Sequence, residues 1–144
     1  MKQQGFTLLE LMVVVLIIGL LAALVVPRVV GRHEDAQIVK AKHDIRALSN
    51  ALKMYKLDNY NFPSTDQGLE SLVKQPSGEP AAKNWRKGGY VERVPNDPWG
   101  NPYQFLSPGE KQEFDVWSMG ADGRSGGEGA NADIGNWNLD EKTQ

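Results

Sequence analysis

Leu11 to Val26 is a run of sixteen residues with no charge, interrupted only by Gly19. Phe6 to Val26 is 21 residues. As a helix rising about 1.5 Å per residue, that stretch spans ~31 Å, close to the ~30 Å hydrocarbon core of a bilayer. The chain has 144 residues, room for roughly one domain, and a mean hydropathy of −0.45, so almost all the apolar excess sits at one end. Charge is split in the same way. Residues 1–57 carry eight Lys/Arg against four Asp/Glu, and residues 58–144 carry eight against fourteen, so +4 and −6 sum to the formal −2. A basic helical half directed at a membrane, joined to an acidic half in water, is the organisation this implies. So small a net charge excludes a general nucleic-acid binder. With no Cys there is no disulfide scaffold, Cys-based zinc site or thiol nucleophile.

Three roles compete for the apolar run: a cleaved secretory signal, a permanent anchor, or a retained segment with special processing. A secretory signal needs a small-x-small cleavage site, and Ala22-Ala23-Leu24-Val25-Val26-Pro27 offers none that convinces. An anchor fits the length and the basic flank of Arg28 and Arg32, but leaves Glu10 unexplained. A carboxylate in an apolar helix costs about 2.5–3.5 kcal/mol or more at the bilayer centre. Glu10 can meet the unpaired N–H groups and positive dipole of a helix start. It can also meet a free amine on Phe6 of a neighbouring subunit, if the chain is cut between Gly5 and Phe6.

Gly5-Phe6-Thr7-Leu8-Leu9-Glu10 resembles the prepilin processing motif of type IV pilins and type II secretion pseudopilins. The resemblance implies that a membrane prepilin peptidase cuts after Gly5 and methylates Phe6, and that the apolar segment is kept.

Beyond the apolar run, Ile38, Ala41, Ile45, Leu48, Leu52 and Tyr55 recur at steps of three and four, one stripe of an α-helix. Lys40, Lys42, Asp44, Arg46 and Lys53 lie off it. The stripe is too short for a free coiled coil and predicts a core against the C-terminal half. Pro27 and Gly31 lie between the two halves, and Pro27 is where an isolated helix kinks. In the family, this region can lose helical structure when subunits pack. A continuous helix from Phe6 to Leu57 leaves half of its apolar surface uncovered in a monomer, and that half must sit in lipid or among copies of itself.

Asp58 to Pro63 ends the helix. Ser64-Thr65-Asp66-Gln67 fits a capping box ahead of a short helix through Leu69, Leu72 and Val73, stopped by Pro76. Residues 76–102 read as a long ordered loop tethered by Trp85, Tyr90, Val91 and Val94, ending in the turn Asp97 to Pro102. Tyr103–Leu106 and Glu113–Met119 are predicted strands closed into an antiparallel hairpin by 107–112, with Phe114, Val116 and Ser118 on one face. The expected fold class is α+β.

Gly120 to Gly135 holds six Gly, Asp122, Asp133, one Glu and one Asn. A dinucleotide loop fails because no helical pattern follows Gly127-Glu128-Gly129. An EF-hand fails because Arg124 and Gly126 stand where ligands are needed. A flexible acidic loop and a calcium site of another kind both remain. Calcium takes six to eight hard oxygens, and glycines let carbonyls turn inward.

Asp97-Pro98-Trp99-Gly100-Asn101-Pro102-Tyr103-Gln104, Gly120-Ala121-Asp122-Gly123 and Ala132-Asp133-Ile134-Gly135-Asn136-Trp137 look like the major pseudopilins of type II secretion. This resemblance implies a type IV pilin-like fold: a long N-terminal helix on a small antiparallel sheet with a calcium-binding loop. It implies Asp122 and Asp133 as side-chain ligands, with Met119, Ser125 and Asn131 completing the shell. It divides the chain into a leader (1–5), a transmembrane and filament-core helix (6–32) and a periplasmic domain (33–144). It further implies a homopolymer in which Glu10 and Pro27 serve assembly, anchored by a single pass in the inner membrane. The implied partners are minor pseudopilins, the prepilin peptidase, an inner-membrane platform with its cytoplasmic ATPase, and an outer-membrane secretin through which the filament drives folded exoproteins. The alternative is the major subunit of a surface type IV pilus, against which the lack of Cys speaks. No enzyme is expected: His33 and His43 stand ten residues apart, about 280° around a helix. There is also no G-x-S-x-G or H-E-x-x-H motif.

Overall fold

The computed structural model describes residues 5–141, with the backbone alone for 24–32. Helix α1 runs Leu8–Asn59, and strands β1 (Gln104–Leu106), β2 (Asp115–Ser118) and β3 (Ile134–Gly135) form one antiparallel sheet in that order. Helical backbone continues across Pro27, whose side chain, like residues 1–4, lies outside the described residues. Two compact units divide at Ala36 and Gln37.

The first unit is helix and little else. Thr7 caps it: its Oγ1 accepts the Glu10 N–H at 3.2 Å, satisfying one of the donors every helix start leaves open. Leu8, Leu9, Leu11, Leu16 and Leu20 are all exposed.

The second unit has its own core. Every member of the predicted stripe, from Ile38 to Tyr55, is buried, at 9% exposure or less. Leu69, Leu72, Ala82, Tyr103, Phe114, Val116 and Ile134 cover it. Each such large apolar side chain contributes about 1.5–3 kcal/mol on burial. The capping box forms reciprocally: Ser64 N–H donates to Gln67 Oε1 (3.0 Å) and Gln67 N–H to Ser64 Oγ (3.2 Å). It introduces a turn and a 3₁₀ segment, Leu69–Leu72, rather than an α-helix. The 76–102 loop is tied down as expected. Trp85 Nε1 donates to Ser71 O (2.8 Å), and the Tyr90 hydroxyl donates to Asp58 Oδ2 (3.0 Å).

In the hairpin, Gln104 pairs with Trp117 and Leu106 with Asp115. Phe114, Val116 and Ser118 face the core, but Asp115 on the other face is also buried. Its carboxylate accepts the N–H groups of Glu110 (2.8 Å), Lys111 (3.0 Å) and Gln112 (3.0 Å), holding the hairpin loop closed. Gly109 is required there, because a Cβ would stand 2.5 Å from the Gln112 carbonyl oxygen and 2.8 Å from Asp115 Oδ1. Strand β3 lies in the segment expected to hold only loop and ligands.

Candidate functional site

Two regions carry chemistry, one in each unit. In the first, Gly5 and Phe6 precede the Thr7 cap, and Phe6 is 83% exposed. Glu10 is the acidic residue of the first helical turn, its side chain also exposed. Around it the surface is apolar, so a charge enters any hydrocarbon environment together with this helix end.

In the second, the loop after β2 folds back on itself. Ala121 N–H donates to Ala130 O at 2.8 Å. Gly127 (φ +90°) packs so tightly that a Cβ would meet the Asn131 carbonyl oxygen at 2.5 Å. Asp133 is the centre of the turn. Its Oδ2 accepts the Gly126 N–H (3.0 Å) and the Ser125 hydroxyl (3.4 Å), while its Oδ1 is buried with no partner among the described residues. An orphaned buried carboxylate oxygen is costly and calls for a donor or a cation. The structure therefore brings Asp133 and Ser125 together. Asn131 meets the loop through its backbone. Met119 is half-buried beside Gly120, whose Cβ position is filled by Asn131 and Ala130 backbone. Asp122 is placed differently: it is exposed, and its Oδ1 accepts the Arg124 N–H at 3.0 Å. No group of three or more His, Cys, Asp or Glu that could hold a metal occurs among the described residues. Any cation here must draw on carbonyl and hydroxyl oxygens, the donor set that hard Ca²⁺ accepts.

A polar chain anchors this loop that residue patterns did not reveal. Buried Asp97 accepts the Trp99 and Asn101 N–H groups on Oδ1 (3.1 and 2.8 Å) and the Ser118 hydroxyl on Oδ2 (2.6 Å). Ser118 Oγ in turn accepts the Gly120 N–H at 3.2 Å. Asn136 does the same for β2, accepting the Val116 N–H (3.1 Å) and donating to Phe114 O (2.8 Å). The quoted motifs contain Asp97 and Asn136, but their partners lie some twenty residues away.

His33 and His43 are exposed. Among the described residues, no helix is long and apolar enough to cross a membrane. The apolar run extends into 24–32, whose side chains are outside the description.

A long N-terminal helix, a small antiparallel sheet laid on its second part and a glycine-rich loop define the pseudopilin class of fold. A crystal structure of the major pseudopilin from the type 2 secretion system of enterohaemorrhagic Escherichia coli superposes with a TM-score of 0.68 at 44% identity, covering 78% of this chain and 96% of that one. The family model for type II secretion system (T2SS), protein G, matches residues 28–137, and that for the prokaryotic N-terminal methylation motif matches residues 1–26. Type II secretion system core protein G of Pseudomonas aeruginosa is 60% identical over 136 residues, covering 94% of this chain and 96% of the relative. That of Vibrio cholerae is 60% identical over 140 residues, covering 97% and 95%. The Escherichia coli K12 protein is 55% identical over 141 residues, covering 98% and 95%. The chain belongs to the type II secretion system protein G family.

Proposed function

We propose that this chain is the major structural subunit of a type II secretion pseudopilus. The observation that carries the reading is the pairing of an exposed apolar helix, bearing Glu10 in its first turn, with a compact acidic α+β unit. The bilayer stores such a monomer by covering the helix. In a filament, the helices of other copies replace lipid, and the Phe6 amine freed by cleavage after Gly5 neutralises Glu10. Subunits are added from a single-pass inner-membrane position with the C-terminal domain in the periplasm. A membrane platform and cytoplasmic ATPase drive the addition, minor pseudopilins join the filament, and an outer-membrane secretin receives the exoprotein. The work is mechanical, and no side chain is assigned a catalytic role.

Calcium in the Gly120–Gly135 loop is part of this proposal. Asp133, through its unpartnered Oδ1, Ser125, and the carbonyls near Met119 and Asn131 would hold it, and Asp122 would turn from its own backbone to join them. The ion supplies positive charge that ties the ends of the loop together. Binding to the folded state alone stabilises by RT ln(1 + [L]/Kd), about 2.7 kcal/mol at a hundredfold excess.

Mass spectrometry of the membrane-extracted protein tests the processing step, with a mature chain beginning at methylated Phe6 as the expected result. A deletion strain that loses secretion of folded exoproteins supports the assignment. One that secretes normally but loses surface fibres assigns the chain to a type IV pilus instead.

A further inference from the structure

An aspartate side chain can close a five-membered ring with the backbone nitrogen of the next residue. What decides it is how open that nitrogen is and what holds the carboxylate. Of the nine aspartates in the chain, Asp122 alone precedes a glycine. Gly123 has no Cβ to shield its nitrogen, and at φ +64° it adopts a conformation that glycine takes freely. Its N–H is only weakly engaged, by Gly120 O at 3.4 Å. Asp122 is exposed, and the bond from Arg124 N–H to its Oδ1 (3.0 Å) folds the carboxyl back over the Gly123 peptide. Groups held near one another in this way react faster than the same groups on a free chain.

Other aspartates lack one part of this arrangement. Asp97 precedes Pro98, whose nitrogen carries no proton to lose. Asp115 is fixed by three N–H donors and precedes Val116, and Asp133 precedes Ile134; both of these followers are β-branched and crowd the nitrogen. Asp58 precedes Asn59 within α1, and its carboxylate accepts the Tyr90 hydroxyl at 3.0 Å.

We propose that Asp122–Gly123 is a self-modification site, at which the folded loop converts Asp122 to isoaspartate. The Gly123 nitrogen attacks Asp122 Cγ. The N–Cγ bond forms and one Cγ–O bond breaks, and the departing oxygen leaves as water with the amide proton and one proton from solvent. Water then opens the five-membered imide and returns that proton. Opening at Cγ restores aspartate, and opening at the main-chain carbonyl carbon gives isoaspartate. Nothing is oxidised or reduced, and the product has the mass of the parent. Its main chain is longer by one methylene in this turn, and its carboxylate sits directly on Cα. Calcium bound as proposed above would draw the carboxylate away from the Gly123 nitrogen and slow the conversion; that slowing alone rests on the calcium reading.

The test warms full-length protein in detergent micelles at neutral pH with excess chelator, and digests samples with trypsin over weeks. Cuts after Lys111 and Arg124 release Gln112–Arg124, which holds both Asp115 and Asp122. The expected result is a second peak of equal mass that grows with time, in which electron-transfer fragmentation places the lengthened backbone at 122 and not at 115. Asp122→Glu keeps the charge but needs a larger ring, and should lower the conversion about tenfold or more. Asp122→Asn loses ammonia in place of water, and should convert faster with a gain in mass. Conversion confined to protein unfolded in urea, conversion at another aspartate, or an undiminished second peak from Asp122→Glu overturns the proposal. With calcium in place of chelator the peak should grow more slowly. Equal growth in both rejects the calcium reading and leaves the modification established.

Discussion

The Ser118 hydroxyl donates to Asp97 Oδ2 at 2.6 Å, and both residues are buried, at 0% and 4% exposure. This single contact joins the Asp97–Asn101 turn to the end of β2, at the point where the glycine-rich loop begins. Ser118→Ala removes a donor and leaves a buried carboxylate oxygen short of its partner. A loss of about 1–3 kcal/mol is expected from denaturant titration of the micellar protein. Faster amide exchange should be confined to residues 97–101 and 119–133. An unchanged midpoint would mean that the bond contributes nothing.

Asp115 is a second anchor, and its charge is what the hairpin loop uses. Asp115→Asn keeps the size but weakens three charge-assisted acceptors at once. The expected cost is about 2–3 kcal/mol, read from the same titration, with loosened amides at Glu110, Lys111 and Gln112.

Calcium should raise the melting temperature of the parent protein, and excess chelator should lower it. Asp133→Asn is expected to abolish most of that difference, because it alters the carboxylate whose Oδ1 lacks a donor. Asp122→Asn should reduce it less, since that side chain starts from a bond to Arg124 N–H. Melting curves indifferent to calcium in the parent would remove the ion from the proposed function.

Stability should also fall at high pH through the tyrosines. Burial, followed by its hydrogen bond to Asp44 at 2.9 Å, pushes the Tyr103 hydroxyl well above its ordinary value of 10.0. Burial raises Tyr55 and Tyr90 as well. Below about pH 10 both folded and unfolded chains hold these protons, and stability is flat. Above it the unfolded chain releases them first, and stability declines. Tyr103→Phe should make that decline shallower, while costing about 1–2 kcal/mol at neutral pH through the lost bond to Asp44. Chemical denaturation between pH 7 and pH 11 reads both effects.

Glu10→Ala should leave cleavage and methylation intact but cut the yield of assembled filament by about tenfold or more, since a neutral helix end gains nothing from a neighbour's amine. The measurement is sheared-filament recovery alongside the mass of the membrane-retained chain. Normal yield would refute the pairing.

Legibility tracked the range of the forces involved. The Ile38–Tyr55 stripe repeats with the helix, so period alone exposed it, and the Ser64–Gln67 cap is a three-residue relationship. Alternation puts Asp115 on the face opposite Val116, but its burial is not legible, because the three N–H groups it accepts belong to a loop with no pattern. Strand β3 is two residues long, too short to alternate. The site divides in the same way. Asp133 stood out because a motif carried it, whereas Ser118 and Asn136 acquire their roles only from partners that folding brings near. The short helix expected through Leu69 and Leu72 forms as one 3₁₀ turn, Leu69–Leu72, after Gly68 (φ +64°).

The outer strands of the sheet span three residues and two residues. Open strand borders are where proteins recruit one another into amyloid-like stacks, and these offer almost nothing to extend. Edges of this length give another chain's backbone little to extend, which disfavours irreversible growth through the sheet.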